Sequence, residues 1–447
     1  MSPVMSWSSN ASEAIMSRPV AVDLFAGAGG MSLGFEQAGF DVLAAVECDP
    51  VHAAVHKFNF PDCAVLCRDI SKVTGSDIRV AAKIGDRDID LVVGGAPCQG
   101  FSLIGHRALD DPRNVLVGEF LRVVCELQPR YFVFENVKGL TVGRHKVLLE
   151  ELVAEFEKSG YCVRSPWRVL NARHYGVPQS RERLILLGAR DGLLLPSYPE
   201  RVSFQVTCEE ALNDLPDAET FSALQDADEV LVSDWKEPSS AYGREMRCSS
   251  NQSWHFGHVR EWDARLLTSS MRTDHTEISR RRFAETGDGQ VEPISRFFKL
   301  PRDGVSNTLR AGTDAARGAF TSPRPIHYEY PRCVTVREMA RLHGFPDWFR
   351  FQETKWHGAR QIGNAVPPPL ARAIGSRIVE ALGLEPSTGR TTPLGEPALL
   401  KMDVGAASKY WGVDKPAGKR DRKSGARKRS QRETEAERLL ARREVFG

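Results

Sequence analysis

The stretch VDLFAGAGGMSLGFEQAGFDVLAAVECDP, residues 22–50, decides the fold. It opens on an apolar run, turns through Gly27, Gly29 and Gly30, continues as a helix-like segment over Gly30–Ala38, and returns to a second apolar run at 41–46. Strand, glycine turn, helix and strand form the repeating unit of a doubly wound, mostly parallel sheet. The glycines let the backbone bend sharply and approach a ligand where a Cβ would stand in the way. Glu47 closes the second run, a position from which an acidic side chain accepts hydrogen bonds from ribose hydroxyls. The loop is not G-x-G-x-x-G, so NAD, FAD and S-adenosylmethionine all suit it, and a purely structural turn is the competing reading.

Outward from this unit the alternation continues. Further apolar runs lie at 90–95, 131–136 and 183–188, separated by helix-like segments at 50–58, 119–127 and 146–158. In such sheets ligands bind at the carboxyl ends of the strands. From 191 to 330 the periodicity weakens and Pro, Gly, Arg, Trp and Ser accumulate, which predicts a separate, loop-rich lobe. Helical periodicity returns at Thr335–His343 and Ala371–Leu382. The expected organisation is a polar arm (1–17), an α/β catalytic domain (18–190), the second lobe (191–330), C-terminal helices completing the catalytic domain (331–385), and a basic, disordered tail (386–447) with a short helix at 434–443.

The 447 residues exceed one ordinary core, with 41% hydrophobic and 26% charged residues, as in soluble globular proteins. No apolar run approaches the ~20 residues needed to span a bilayer, and the first twenty residues lack the apolar core of a secretory signal. Nine irregularly spaced cysteines in such a chain predict reduced thiols and a cytoplasmic location. Residues 415–447 hold twelve Lys/Arg and five Asp/Glu, a balance of +7, which leaves −5 on the body. Any polyanion therefore meets the body through local patches, while the tail either contacts phosphates or solubilises the chain.

Three further segments carry chemistry. In GGAPCQGFS (94–102), Cys98 follows a proline between glycines on an exposed turn, unlike Cys125 and Cys162, whose apolar neighbours suggest small buried hydrophobes. In FVFENVKGL (132–140), Glu135 ends an apolar run; desolvation there would raise its pKa and suit it to proton donation, against the alternative of a surface strand-end carboxylate. In YGVPQSRERLILLG (175–188), Arg181 and Arg183 alternate at a strand entry and share a face, fit for a phosphate or carbonyl, or for a solvated basic edge. His52, His56, Cys63 and Cys67 hint at zinc, but a helix and a strand separate them, and no metal site is expected.

In order, DLFAGAGG, Glu47, RDI (68–70), PCQGFS, ENV, QSRER, VTVREMARLHGFPD (334–347) and QIGNAVPPPLA (361–371) resemble the DNA cytosine-5 methyltransferases, from about Ala21 to Glu380. The resemblance implies a Rossmann-like S-adenosylmethionine-dependent fold with a smaller target-recognition domain. It implies methyl transfer to C5 of a cytosine flipped from a short, specific sequence of double-stranded DNA. Cys98 would attack C6, Glu135 would serve ring N3, and Arg183 with Arg181 would hold the pyrimidine. Phe25, Gly27, Gly30, Glu47, Asp69, Pro97, Asn364 and Val366 match cofactor positions. Gln99, Ser102, Arg113 and Thr308 match DNA contacts. LIGHRALDDPRN (103–114), including His106 and Arg107, resembles the loop that closes over the base. RCSSNQSWHFGHVR (247–260) and SRRRFAETGDG (279–289) are composed for reading bases and phosphates. A monomeric modification enzyme paired with a restriction endonuclease is the expected setting. An RNA cytosine-5 methyltransferase and a non-catalytic regulatory DNA-binding protein are the alternatives, and a nicotinamide-dependent oxidoreductase is more distant.

Overall fold

The structure is a computed structural model that describes residues 18–97, 109, 114–143, 145–313 and 323–416. The first strands and helices are β1 (Val20–Leu24), α1 (Gly30–Gln37), β2 (Asp41–Val46), α2 (Pro50–Asn59), β3 (Ala64–Leu66), α3 (Gly75–Ala81), β4 (Leu91–Gly94), α4 (Val115–Leu127), β5 (Tyr131–Val137), α5 (His145–Lys158), β6 (Tyr161–Val163), β7 (Arg168–Asn171) and β8 (Glu182–Arg190), of which α3, β6 and β7 have no counterpart in the sequence pattern. β1 is buried along its whole length, as a parallel strand covered on both faces must be, which is why it reads as a continuous apolar run. α2 starts where the sequence Asp49-Pro50 says it should. The Asp49 side chain accepts from the N–H groups of Val51 and His52, and Pro50 occupies the first turn.

Among the described residues these strands make one eight-stranded sheet in the order β3-β2-β1-β4-β5-β8-β6, with β7 also on β8. β3 through β5 run parallel, and β8 returns antiparallel to β5. The order reverses at β1, which has β2 on one side and β4 on the other. This is the switch point at whose carboxyl edge such sheets hold ligands. One face is covered by Phe120, Val123 and Val124 of α4 and Leu148, Leu152 and Phe156 of α5. The other is covered by α1 and the long α11 described below. These two helices approach through glycine: a Cβ at Gly34 would lie 2.4 Å from that of Ala371.

The second lobe contains α6 (Cys208–Leu212), β9 (Val230–Leu231), α7 (Ala241–Met246), β10 (Val259–Glu261), β11 (Leu266–Leu267) and α8 (Glu277–Glu285). It shares a core with the C-terminal helices, since Val206, Leu212 and Leu267 cluster with Val336, Met339, Phe345 and Phe349. Those helices are α9 (Val336–Arg341), α10 (Lys355–Asn364) and α11 (Pro368–Ala381). Buried Arg341 of α9 holds Asp214 of the lobe at 2.9 Å and Asp347 at 2.7 Å.

Two expectations are corrected. The chain from Pro386 to residue 416 is folded: β12 (Thr391–Pro393) pairs with β10, and α12 (Ala398–Lys401) and α13 (Val404–Trp411) pack on α2. Its low hydrophobicity misleads because a few side chains, Leu399 and Leu400 foremost, dock on Ala54, Val55 and Phe58 rather than forming a core of their own. Cys162 is exposed and donates to Asp191 at 3.3 Å, and Cys125 is only half-buried; the buried thiols are Cys63, Cys67, Cys208 and Cys333. β6 is an edge strand, so alternation turns Cys162 outward between buried Tyr161 and Val163. Residues 1–17 and the basic segment 418–430, with the short helix expected beyond it, lie outside the described residues. No described helix is long and apolar enough to cross a membrane.

Candidate active site

At the carboxyl edge of β1, β2, β4 and β5 lies a cleft of about 710 Å³. Its lining includes every described residue expected at the cofactor: Phe25, Gly27, Gly30, Glu47, Asp69, Pro97, Asn364 and Val366. The strand-to-helix turn is tight. Phe25 and Gly27 have φ of 61° and 56°, and the Gly27 N–H donates to Glu47 Oε2 at 2.8 Å. The Asp49 N–H donates to Glu47 Oε1 at 2.7 Å. Each oxygen of Glu47 thus takes one backbone donor and keeps a lone pair for a ligand. Gly30 is pressed against the C-terminal segment, where a Cβ would come within 2.6 Å of the Val366 carbonyl. Asp69 is exposed at the rim and accepts from the Ser71 N–H and hydroxyl. A backbone turn without side chains beside an anchored carboxylate fits an adenosine-bearing ligand such as S-adenosylmethionine.

Glu135 stands at the other end of the cleft, 9% exposed. Arg183 Nε meets its Oε1 at 2.8 Å. Burial raises the Glu135 pKa above the ordinary carboxylate value, while the charges of Arg183 and Arg181 pull it back. Gly95 makes room for it: a Cβ there would lie 2.6 Å from Glu135 Oε2. Neighbouring Asn136 donates to the Ala96 carbonyl at 3.0 Å and fixes the backbone just before Pro97. Cys98 follows Pro97 directly in the chain but, with Gln99, Ser102, His106, Arg107 and Arg113, lies outside the described residues.

The two arginines divide. Arg183 faces Glu135. Arg181 is 1% exposed, and its fork donates to the carbonyls of Leu309, Gly363 and Ala365. That ties the end of the second lobe to the last turn of α10 and the loop after it. Its positive charge still reaches Glu135, but Nη1 and Nη2 both donate to backbone, and the buried Nε has no hydrogen-bond partner among the described residues. Thr308 lies outside the cleft lining, its hydroxyl donating to the Ser180 carbonyl at 2.7 Å.

In the polar stretch 247–260, Ser249–Gln252 and Phe256 are exposed, but the charged and imidazole side chains are engaged within the protein. Arg247 stacks on Trp235 at 3.7 Å, His255 pairs with Glu245 at 2.8 Å, His258 with Asp41 at 3.2 Å, and Arg260 with Glu36 at 2.7 Å. His258 and Arg260 dock the lobe on β2 and α1, while Arg247 and His255 are held within it, contrary to their reading as base or phosphate readers. In the second such stretch Arg280 pairs with Glu219 and Arg282 with Glu292.

The sequence reading passed over a buried group beneath the glycine turn. The Ser32 hydroxyl donates to Asp23 Oδ2 at 2.6 Å and meets His56 Nε2 at 3.0 Å. Burial pushes the Asp23 carboxyl up to about 7 and the His56 imidazole down to about 3. An aspartate inside the buried run VAVDL was the available signal.

Comparison with known proteins agrees with this geometry. The profile of a family described as C-5 cytosine-specific DNA methylase matches residues 20–380. The chain is 56% identical over 399 residues to the type II methyltransferase M.XorII of Xanthomonas oryzae pv. oryzae, covering 89% of this chain and 93% of that one. It is 34% identical to the type II methyltransferase M1.HphI of Haemophilus parahaemolyticus, covering 80% and 86%. Among solved structures, a prophage-encoded E. coli protein described as a DNA modification methyltransferase superposes with a TM-score of 0.68 at 32% identity, covering 82% of this chain and 99% of that one. The S. pombe Dnmt2 methyltransferase, at 19% identity and a TM-score of 0.51 over 82% of this chain and 100% of its own, shares the fold.

Proposed function

The chain belongs to the C-5 cytosine-specific DNA methylase family and is a DNA cytosine-5 methyltransferase; from that premise we propose that Cys98 carries the reaction covalently on a cytosine flipped out of duplex DNA. The observation that carries this reading is the shared cleft, with an anchored Glu47 at one end and a buried Glu135–Arg183 pair at the other, beside the chain position that leads into Cys98.

The Cys98 thiolate adds to C6, forming the S–C6 bond and pushing the ring electrons toward C5 and N3. Glu135, buried beside Arg183, gives a proton to N3 or holds one there, so the ring never bears the full negative charge. Arg183 keeps the carboxyl oriented and limits how far its pKa climbs. When bound against Gly27, Gly30, Glu47 and Val366, S-adenosylmethionine supplies an electrophilic methyl group. Once C5 carries the methyl, loss of the C5 proton to a base forms the C5–C6 double bond and expels Cys98 as the thiolate, while Glu135 takes the N3 proton back, which restores the neutral aromatic ring. C6 is shielded inside a stacked duplex, so the base must leave the stack. The names of the relatives further support a role as the modification enzyme beside a restriction endonuclease.

A duplex carrying 5-fluorocytosine tests the covalent step, because fluorine at C5 cannot leave as a proton. With cofactor present, the protein should form a complex that survives denaturation and adds the mass of the DNA and one methyl group. Cys98→Ala should form none. A stable complex with Cys98→Ala would remove Cys98 from the mechanism.

A further inference from the structure

α1 and α2 both begin at the cleft and both end at one side chain of the recognition lobe. Gly30 opens α1, and Asp49, which also donates to Glu47, caps α2; both residues line the cleft. At the far ends stands Arg260 of β10, 3% exposed. Its Nη2 donates to Glu36 Oε2 on α1 at 2.7 Å and its Nε to the Asn59 carbonyl, the last residue of α2, at 3.1 Å. Its third arm returns to the lobe, Nη1 donating to the His258 carbonyl at 2.9 Å. The second Glu36 oxygen accepts the His258 N–H at 3.1 Å, so both oxygens of this carboxylate belong to the lobe. The rings of Trp348 and Phe60 flank the guanidinium at 5.0 and 5.5 Å.

A helix of eight to ten residues is a rod of roughly 12–15 Å, stiff enough to carry a displacement of one end to the other. A planar fork that satisfies a carboxylate and a carbonyl at once sets the two helix ends relative to each other, which a flexible ammonium cannot do equally well. We propose that Arg260 is a positioning residue: from the recognition lobe it fixes α1 and α2, and through them the glycine turn and Glu47, in the arrangement that receives the methyl donor. The inference rests on the cofactor reading above and extends it to a residue of β10 that lies outside the cleft lining.

Steady-state kinetics on the full chain test it. Arg260→Lys keeps the charge and loses the fork; it should raise KM for S-adenosylmethionine at least about fivefold, with kcat within about twofold of wild type. Glu36→Gln should do the same, and the double variant should fall short of the product of the two single effects, because the Arg260–Glu36 contact is common to both. A role in stability alone would lower kcat with the folded fraction and leave KM unmoved, and that result would overturn the proposal. Should Arg260→Lys fail to fold, the isosteric Glu36→Gln carries the test with the same expectation. Calorimetry of wild type with S-adenosylmethionine separates the two levels: no binding at all would sink the cofactor reading and this inference with it, whereas normal binding with an unmoved KM in the variants sinks only the role of Arg260.

Discussion

At Glu135, burial and the Arg183 charge act in opposite directions on one carboxyl group. A proton-delivering group needs that balance, since a fully exposed glutamate would be ionised and an unpartnered buried one too reluctant to release its proton. Glu135→Gln keeps the shape without the acid. It should lower kcat at least about 100-fold while calorimetry shows unchanged cofactor binding; near-normal turnover would remove Glu135 from the chemistry. Asp23 makes a separate prediction. Its pKa rises from 3.8 to about 7, with the Ser32 hydroxyl in contact, His56 meeting that same hydroxyl, and Glu47 and Cys63 nearby. Between those values the native protein retains a proton that the unfolded chain has released, so Asp23 makes stability fall as pH rises from about 4 to about 7. Asp23→Asn should therefore gain on wild type at pH 8 relative to pH 4 in urea melts; an equal difference at both would contradict the assignment. At this scale the sequence was readable where a polar residue interrupts an apolar run, as at Glu135. Arg260 was not readable, because its partners Glu36 and Asn59 are some two hundred residues away and nothing local marks it as buried.

Glycines set how closely elements approach, and one of them exposes the site to test. A methyl group at Gly95 would crowd only the flexible end of Glu135. Gly95→Ala should therefore fold normally, with an unchanged melting temperature, and lose activity by displacing that carboxyl. Retained activity would show that Glu135 has freedom the cleft does not suggest. Arg181 works between segments, and Arg181→Met leaves the carbonyls of Leu309, Gly363 and Ala365 without their donor. That should cost about 3 kcal/mol or more in chemical denaturation; a loss below 1 kcal/mol would mean water replaces it readily. The parallel strands were legible because burial on both faces writes them as unbroken apolar runs. α10 was not, since its inner face is Gly358, Ala359, Gln361, Ile362 and Gly363. Such a helix packs by closeness of backbone, with a Cβ at Gly363 falling 2.3 Å from the Ala311 nitrogen, and leaves no hydrophobic period to read.

Across the whole molecule, ion pairs join the second lobe to α1, β2 and α9 through Arg260–Glu36, His258–Asp41 and Arg341–Asp214. Composition predicts a separate loop-rich lobe, and composition alone made its arginines look outward-facing. Charge at this scale is divided between a body at −5 and the segment 415–447 at +7. Replacing Lys419, Arg420, Arg422, Lys423, Arg427, Lys428 and Arg429 by glutamine should weaken binding to non-target duplex and flatten its dependence on salt, because fewer counterions are released. An unchanged salt slope would assign that segment to solubility instead. The central claim, covalent cytosine methylation through Cys98, is tested most directly by expressing the chain in a host without cytosine methylation and sequencing its DNA after bisulfite treatment. Protection of one cytosine in a recurring motif, lost with Cys98→Ala, is the result expected; protection that persists in Cys98→Ala would contradict it.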